Sequence, residues 1–89
     1  MVGMFAISLA GHDKGQMYVI IKEDGEYFYL SDGNIRPLDK LKKKKKKHTQ
    51  LVKSGVDGIL ADKLQNAKPI YNEEIKFAIK RRKQEVANV

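Results

Sequence analysis

Seven lysines fall within the eight positions from Lys40 to Lys47, and only Leu41 interrupts them. No apolar core can hold such a run, because unpaired charge leaves water at a large penalty. A helix over the same residues would stack like charges at i and i+4, each pair costing roughly 0.2–0.5 kcal/mol. An extended strand at a sheet edge, or a loop, is what remains. Phosphates along its length would relieve the repulsion.

The run also marks a break in composition. Residues 1–39 carry three basic side chains (Lys14, Lys22, Arg36) against six acidic ones (Asp13, Glu23, Asp24, Glu26, Asp32, Asp39), a net of −3. Residues 40–89 hold 15 basic and five acidic groups, a net of +10, so the overall +7 averages an acidic front and a basic back. Such asymmetry points to a polyanionic partner, most often nucleic acid, although an acidic protein or membrane surface would attract it too.

At 89 residues the chain has room for one domain with a small core, and an elaborate catalytic cleft is not expected. The absence of cysteine removes disulfides and thiolate metal sites and fits a reducing compartment. Met1 to Gly11 is apolar but lacks a basic leader and is far shorter than the roughly 20 residues of a membrane span. A soluble, cytoplasmic protein with no membrane partner is the expectation.

Met4 to Leu9 alternates, with Phe5, Ile7 and Leu9 on one face and Met4, Ala6 and Ser8 on the other, the period of a half-buried strand. Gln16 to Lys22 is rich in β-branched and aromatic residues and reads as a second strand, turning at Glu23, Asp24 and Gly25. Tyr27 to Leu30 is the third, with Phe28 and Leu30 expected inside and Tyr27 and Tyr29 on the other face. A turn at Asp32, Gly33 and Asn34 leads to a short edge strand at Ile35 to Leu38, and His48 to Val52 is the piece that would close a small barrel. Val56 to Asn66 has helical spacing. Asn72 is placed to cap a longer helix, Glu73 to Val86, with Glu73 and Glu74 in its first turn and an apolar stripe of Ile75, Ala78, Ile79 and Val86. The expected fold is mainly β with C-terminal α: a barrel of about five strands over residues 1–53, then one short and one longer helix over 54–89.

Residues 4 to 38 resemble a KOW motif. The carriers are the order Ser8-Leu9-Ala10-Gly11-His12-Asp13-Lys14-Gly15, then Leu30-Ser31-Asp32-Gly33, then Ile35-Arg36-Pro37-Leu38, with the lysines ending in His48-Thr49-Gln50. The likeness is to short bacterial KOW-domain proteins related to large-subunit ribosomal proteins of archaea and eukaryotes. Met17 and Tyr18 stand where a further glycine of that motif is expected. The resemblance implies an SH3-like barrel and association with RNA or the ribosome.

The candidate RNA contacts are Gly11, His12, Lys14, Gly15, Arg36, Lys40, Lys42, Lys43, Lys44, Lys45, Lys46, Lys47 and His48. Lysines along a backbone supply affinity without reading sequence. The loop from Gly11 to Gly15 has two readings, a close approach of backbone to phosphate or a tight interstrand turn. Base stacking by tyrosine is the weaker suggestion, since exposed tyrosines on a barrel are commonly ordinary surface. Lys80 to Lys83 would answer the helix dipole or add a second phosphate contact. His12 and His48 lack companion ligands, so neither a metal nor another cofactor is called for. No phosphate-binding glycine loop or nucleophile elbow is present, and a non-enzymatic protein is expected. The competing class is a protein-interaction module whose barrel surface and second helix bind an acidic partner.

Overall fold

The alternating apolar segments pair into one antiparallel sheet with strand order β4-β3-β2-β1-β5. In the computed structural model, which describes residues 1–87 and their side chains except at 53, 54, 86 and 87, β1 is Met4–Ser8, β2 Met17–Asp24, β3 Tyr27–Ser31, β4 Lys42–Lys45 and β5 Thr49–Gly55. One turn of 3-10 helix, Lys46–His48, joins β4 to β5, and two helices follow, α1 Gly58–Gln65 and α2 Asn72–Ala87. The sheet curls into a half-barrel, so the fold is mainly β, a small SH3-like barrel followed by helices.

Period-two alternation sorts the strand side chains into two cores. Ala6, Tyr18, Ile20, Phe28 and Leu30 fill the inside of the curl, with Phe28 and Leu30 inward as their alternation with tyrosine predicts. Phe5 and Val19 point the other way and meet Leu60 of α1 and Ile75, Ala78 and Ile79 of α2. β1 is thus covered on both faces, where alternation alone suggested one, because the helices fold back over the sheet and share its core. Fully burying each large aliphatic or aromatic side chain in these layers contributes about 1.5–3 kcal/mol. A bulge between Ile20 and Lys22 re-aims β2, so that its outer face changes from apolar under the helices to polar beyond them.

The helix ends follow from short-range chemistry. Asp57 caps α1 by accepting from the Leu60 N–H at 3.0 Å. At the other end Ala67 adopts φ +53° and the Lys68 N–H reaches the Lys63 carbonyl, a Schellman closure that ends the helix before Pro69. Asn72, expected as the cap of α2, does something else. Its Oδ1 accepts from the Leu38 N–H at 2.8 Å, while Glu74 reaches back to the Tyr71 N–H at 3.1 Å and supplies the capping contact. Ile75, Ala78 and Ile79 form the expected buried stripe, and the side chain of Val86 lies outside the described residues.

Ile35 to Leu38 is not a strand. Asp32 Oδ1 takes the N–H groups of both Asn34 (2.9 Å) and Arg36 (2.8 Å), Ser31 Oγ donates to the Arg36 carbonyl, and Leu38 is held by Asn72. Pro37 has no N–H to give. The groups a ladder would need are already bound, so the segment is a tight loop and the edge position passes to β4. His48 likewise belongs to the 3-10 turn, and β5 begins at Thr49.

The loop rests directly on α2 through Gly33, which is buried at φ +72°. A Cβ there would collide with the Asn72 carbonyl oxygen and come within 3.0 Å of the Lys76 backbone nitrogen. Gly33→Ala is therefore expected to cost about 1–3 kcal/mol, each kcal/mol lowering Tm by roughly 4–8 °C in a domain of this size. Gly25→Ala, at φ +57° but in open space, carries the conformational cost alone, about 1 kcal/mol. Thermal melts of the two variants separate the terms, and equal losses would show that the Gly33 contact contributes nothing.

Candidate nucleic-acid interface

β4 consists entirely of lysine, and its register on β3 decides what each one does. Tyr27 lies opposite Lys45, Phe28 opposite Lys44, Tyr29 opposite Lys43 and Leu30 opposite Lys42. Because alternate side chains on a strand face opposite ways, Lys42 and Lys44 share the inner face of Leu30 and Phe28. Lys43 and Lys45 share the outer face of Tyr29 and Tyr27.

Lys44 turns into the barrel. Its Nζ donates to Asp13 Oδ1 at 3.0 Å and to the Ala10 carbonyl at 2.8 Å, and its side chain keeps 10% of its exposure. Asp13 also receives the Tyr18 hydroxyl on Oδ2 at 2.8 Å, and Ser8 Oγ lies 2.8 Å from Oδ1. Burial pushes the Asp13 carboxyl up, but the hydrogen bonds from Lys44, Tyr18 and Ser8 outweigh it and hold the group at about 2. Burial and then the Asp13 carboxylate push the Tyr18 hydroxyl above its ordinary value, so it remains a donor. Lys44, a candidate phosphate contact by sequence, is committed to this internal network.

Lys46 is also engaged. Its ammonium pairs with Glu23, which the N-terminal ammonium of Met1 joins at 3.3 Å, and the two cations, Lys46 foremost, hold Glu23 below the usual carboxylate range. Lys46 Nζ further lies 5.2 Å from the Phe28 ring centre at the barrel mouth. Two of the seven lysines in the run are thus answered by acids from the front of the chain.

The outer face is different. Lys43 Nζ stands 4.3 Å from the centre of the Tyr27 ring and Lys22 Nζ, from β2, 5.4 Å from that of Tyr29. Each such cation–π contact is worth about 0.5–1 kcal/mol at an exposed site. With Lys45 beside Tyr27, the outer faces of β2, β3 and β4 present ammonium groups interleaved with half-buried tyrosines. Lys47 and His48 continue the exposed line through the 3-10 turn, and Lys40 is exposed where the line begins.

The Gly11–Gly15 loop is a tight turn in its backbone. Both glycines have positive φ, +87° and +89°, and the Lys14 N–H returns to the Gly11 carbonyl. Asp13 points inward from it while His12 and Lys14 are exposed. His12, far in sequence from Arg36 and Lys42, meets them around a cleft of about 240 Å³, which Tyr18 and Asp32 also line. Among the described residues no group of three or more His, Cys, Asp or Glu is placed to hold a metal, and no helix is long and apolar enough to cross a membrane.

Fold and charge together define a small SH3-like barrel with C-terminal helices and a basic, tyrosine-bearing outer face. No protein-family model matches the chain, and no characterised protein is similar to it at a significant level.

Sequence reasoning missed the division of labour within the lysine run and the pairing of tyrosines with lysines. The signal for both was the alternation of Tyr27-Phe28-Tyr29-Leu30 beside an all-lysine strand, which requires every second lysine to face inward. Asp13 supplies a test. Its folded pKa lies below the ordinary value near 3.9, so its contribution is complete above that value and is lost as pH falls towards 2. Unfolding in denaturant should show about 1–2 kcal/mol of stability lost between pH 4 and pH 2. Asp13→Asn should be less stable at neutral pH and should lack that part of the pH dependence. An unchanged acid limb in the variant would remove Asp13 from the account.

Proposed function

We propose that the protein is a non-enzymatic RNA-binding module that docks on structured RNA in the cytoplasm, with ribosomal RNA as the target class, in the manner the KOW resemblance implies. The observation that carries this reading is the outer face of β2–β4. Lys22, Lys43 and Lys45 are held there by strand register between Tyr27 and Tyr29, and Lys40, Lys47 and His48 extend the same line. A polyanion tracking this line would meet ammonium groups at successive outward positions and aromatic faces between them. That combination binds nucleic-acid backbone with little dependence on sequence, and each stacked base contributes about 1–3 kcal/mol. His12, Arg36 and Lys42 around their cleft provide a further cationic approach. Lys44 takes no direct part, since its ammonium group is bound inside the barrel, and the ammonium of Lys46 is paired with Glu23 at the surface.

Two measurements test the reading. Engagement of about five phosphates predicts roughly a hundredfold loss of affinity between 50 and 200 mM salt, and a flat response would refute it. Replacing Lys43, Lys45 and Lys47 by serine should flatten the logarithmic salt slope by about two while lowering Tm by only a few degrees, roughly the cost of the lost Lys43–Tyr27 contact. Lys44→Met should do the reverse, lowering stability because Asp13 loses its cation. Co-sedimentation with ribosomes that survives the triple replacement would count against this face.

A further inference from the structure

We propose that the groove between the Ile35 loop and α2 is a docking site for an acidic amphipathic helix of a protein partner. The groove has a volume of about 680 Å³, within the range of ligand-sized clefts. Two large apolar side chains stand open in its lining, Ile35 at 78% exposure and Phe77 at 61%, with the buried Ile79 also lining it, among polar neighbours that include Asp32. Lys76, Lys80 and Lys83 stand along its edge at i, i+4 and i+7 of α2, on one side of the helix. Among the described residues none of the three makes an ion pair, whereas Lys63 and Lys68 nearby do.

The exposure of Ile35 is built in. Asp32 and Ser31 hold the loop by hydrogen bonds to Gly33, Asn34 and Arg36, Gly33 presses against the first turn of α2, and Asn72 ties Leu38 to the same helix. The aliphatic wall is fixed before anything binds, so a partner does not bear the cost of ordering it. An apolar trough with a one-sided row of free ammonium groups fits a helix with leucine-type side chains at i, i+3, i+4 and i+7 and carboxylates flanking them. Phosphates gain nothing from Ile35 and Ile79, which distinguishes this surface from the tyrosine-lined face. The groove shares no residue with the tyrosine-lined face; Ile35 and Asp32 also line the His12 cleft, so Phe77 and Lys80 give the reading that is independent of RNA binding.

The test is a titration of isotopically labelled protein, followed by amide resonances, with a synthetic helical peptide of about 15 residues carrying leucine at i, i+3, i+4 and i+7 and glutamate elsewhere. A matched peptide with lysine for glutamate and a single-stranded uridine oligonucleotide run in parallel. The acidic peptide should shift the amides of Ile35 and Phe77, and its binding should weaken with salt. The double variant Ile35→Ser with Phe77→Ser should weaken it about tenfold or more. Lys80→Glu with Lys83→Glu gives a second reading that leaves the apolar wall intact and should weaken it comparably. The proposal is overturned if the acidic peptide shifts neither residue, if the lysine peptide binds equally well, or if the oligonucleotide shifts Ile35 and Phe77 while the peptide does not. RNA binding itself is read at Tyr27 and Tyr29 in the same spectra.

Discussion

The ion pair between Lys44 and Asp13 organises the barrel. Lys44 sits on the edge strand β4, hydrogen-bonded to β3, while Asp13 lies in the loop between β1 and β2. Their contact spans the curl and ties its edge to the opposite connection. Ser8 at the end of β1 and Tyr18 near the start of β2 complete the network, so β1, β2, β4 and one loop converge on a single carboxylate. Removing one member of a sheltered pair of this kind costs about 3–5 kcal/mol when burial is complete, because the remaining charge has no answer. The partial exposure at this site moderates that figure, and the hydroxyl donors around Asp13 moderate it further.

The same contact explains why the sequence exaggerates the separation of charge. Read along the chain, an acidic front precedes a basic back. In the fold, two of the front's acids are spent on the lysine run, Asp13 on Lys44 and Glu23 on Lys46. What remains at the surface is a sorted set of cations: Lys43 and Lys45 outward beside tyrosines, and Lys40 and Lys47 at the ends. Internal pairing therefore shapes the outer face, because it removes the lysines that would otherwise make the run an undirected cloud of charge.

Much of this was legible from residues. Alternation located β1 and placed Phe28 and Leu30 of β3 inside, because a period of two is hard to produce by any other structure, and β-branched and aromatic residues located β2. The helices followed from spacing, whereas the ends expected of α2 did not hold, since Asn72 serves Leu38 and no basic residue lies in its last turn. The failures share a cause: side chains that take backbone hydrogen bonds, some from neighbours and some from far along the chain. Asp32 and Ser31 take the hydrogen bonds that Ile35 to Leu38 would have given a strand, and Asn72 caps nothing because it serves Leu38, 34 positions away. Neither the partner of Lys44 nor the cleft joining His12 to Arg36 and Lys42 could be read locally, since each depends on how the sheet curls.

A strand of four identical residues carries no information about its own register, yet register decides everything about this face. A slip by one would turn Lys43 and Lys45 inward and leave Lys44 in water, since side chains alternate strictly. Asp13 cannot resist that slip, because the lysine that would replace Lys44, from position 43 or 45, offers it the same ammonium. A slip by two does the same from position 42 or 46, so both must be resisted elsewhere. The resistance lies at the ends of the run. The Lys46 N–H is fixed to the Glu26 carbonyl at 2.8 Å, the Thr49 hydroxyl closes the 3-10 turn on the Lys46 carbonyl, and the Lys46 ammonium is claimed by Glu23. A low-information strand is thus set in place by its higher-information neighbours, which leaves its outward positions free to be lysine throughout.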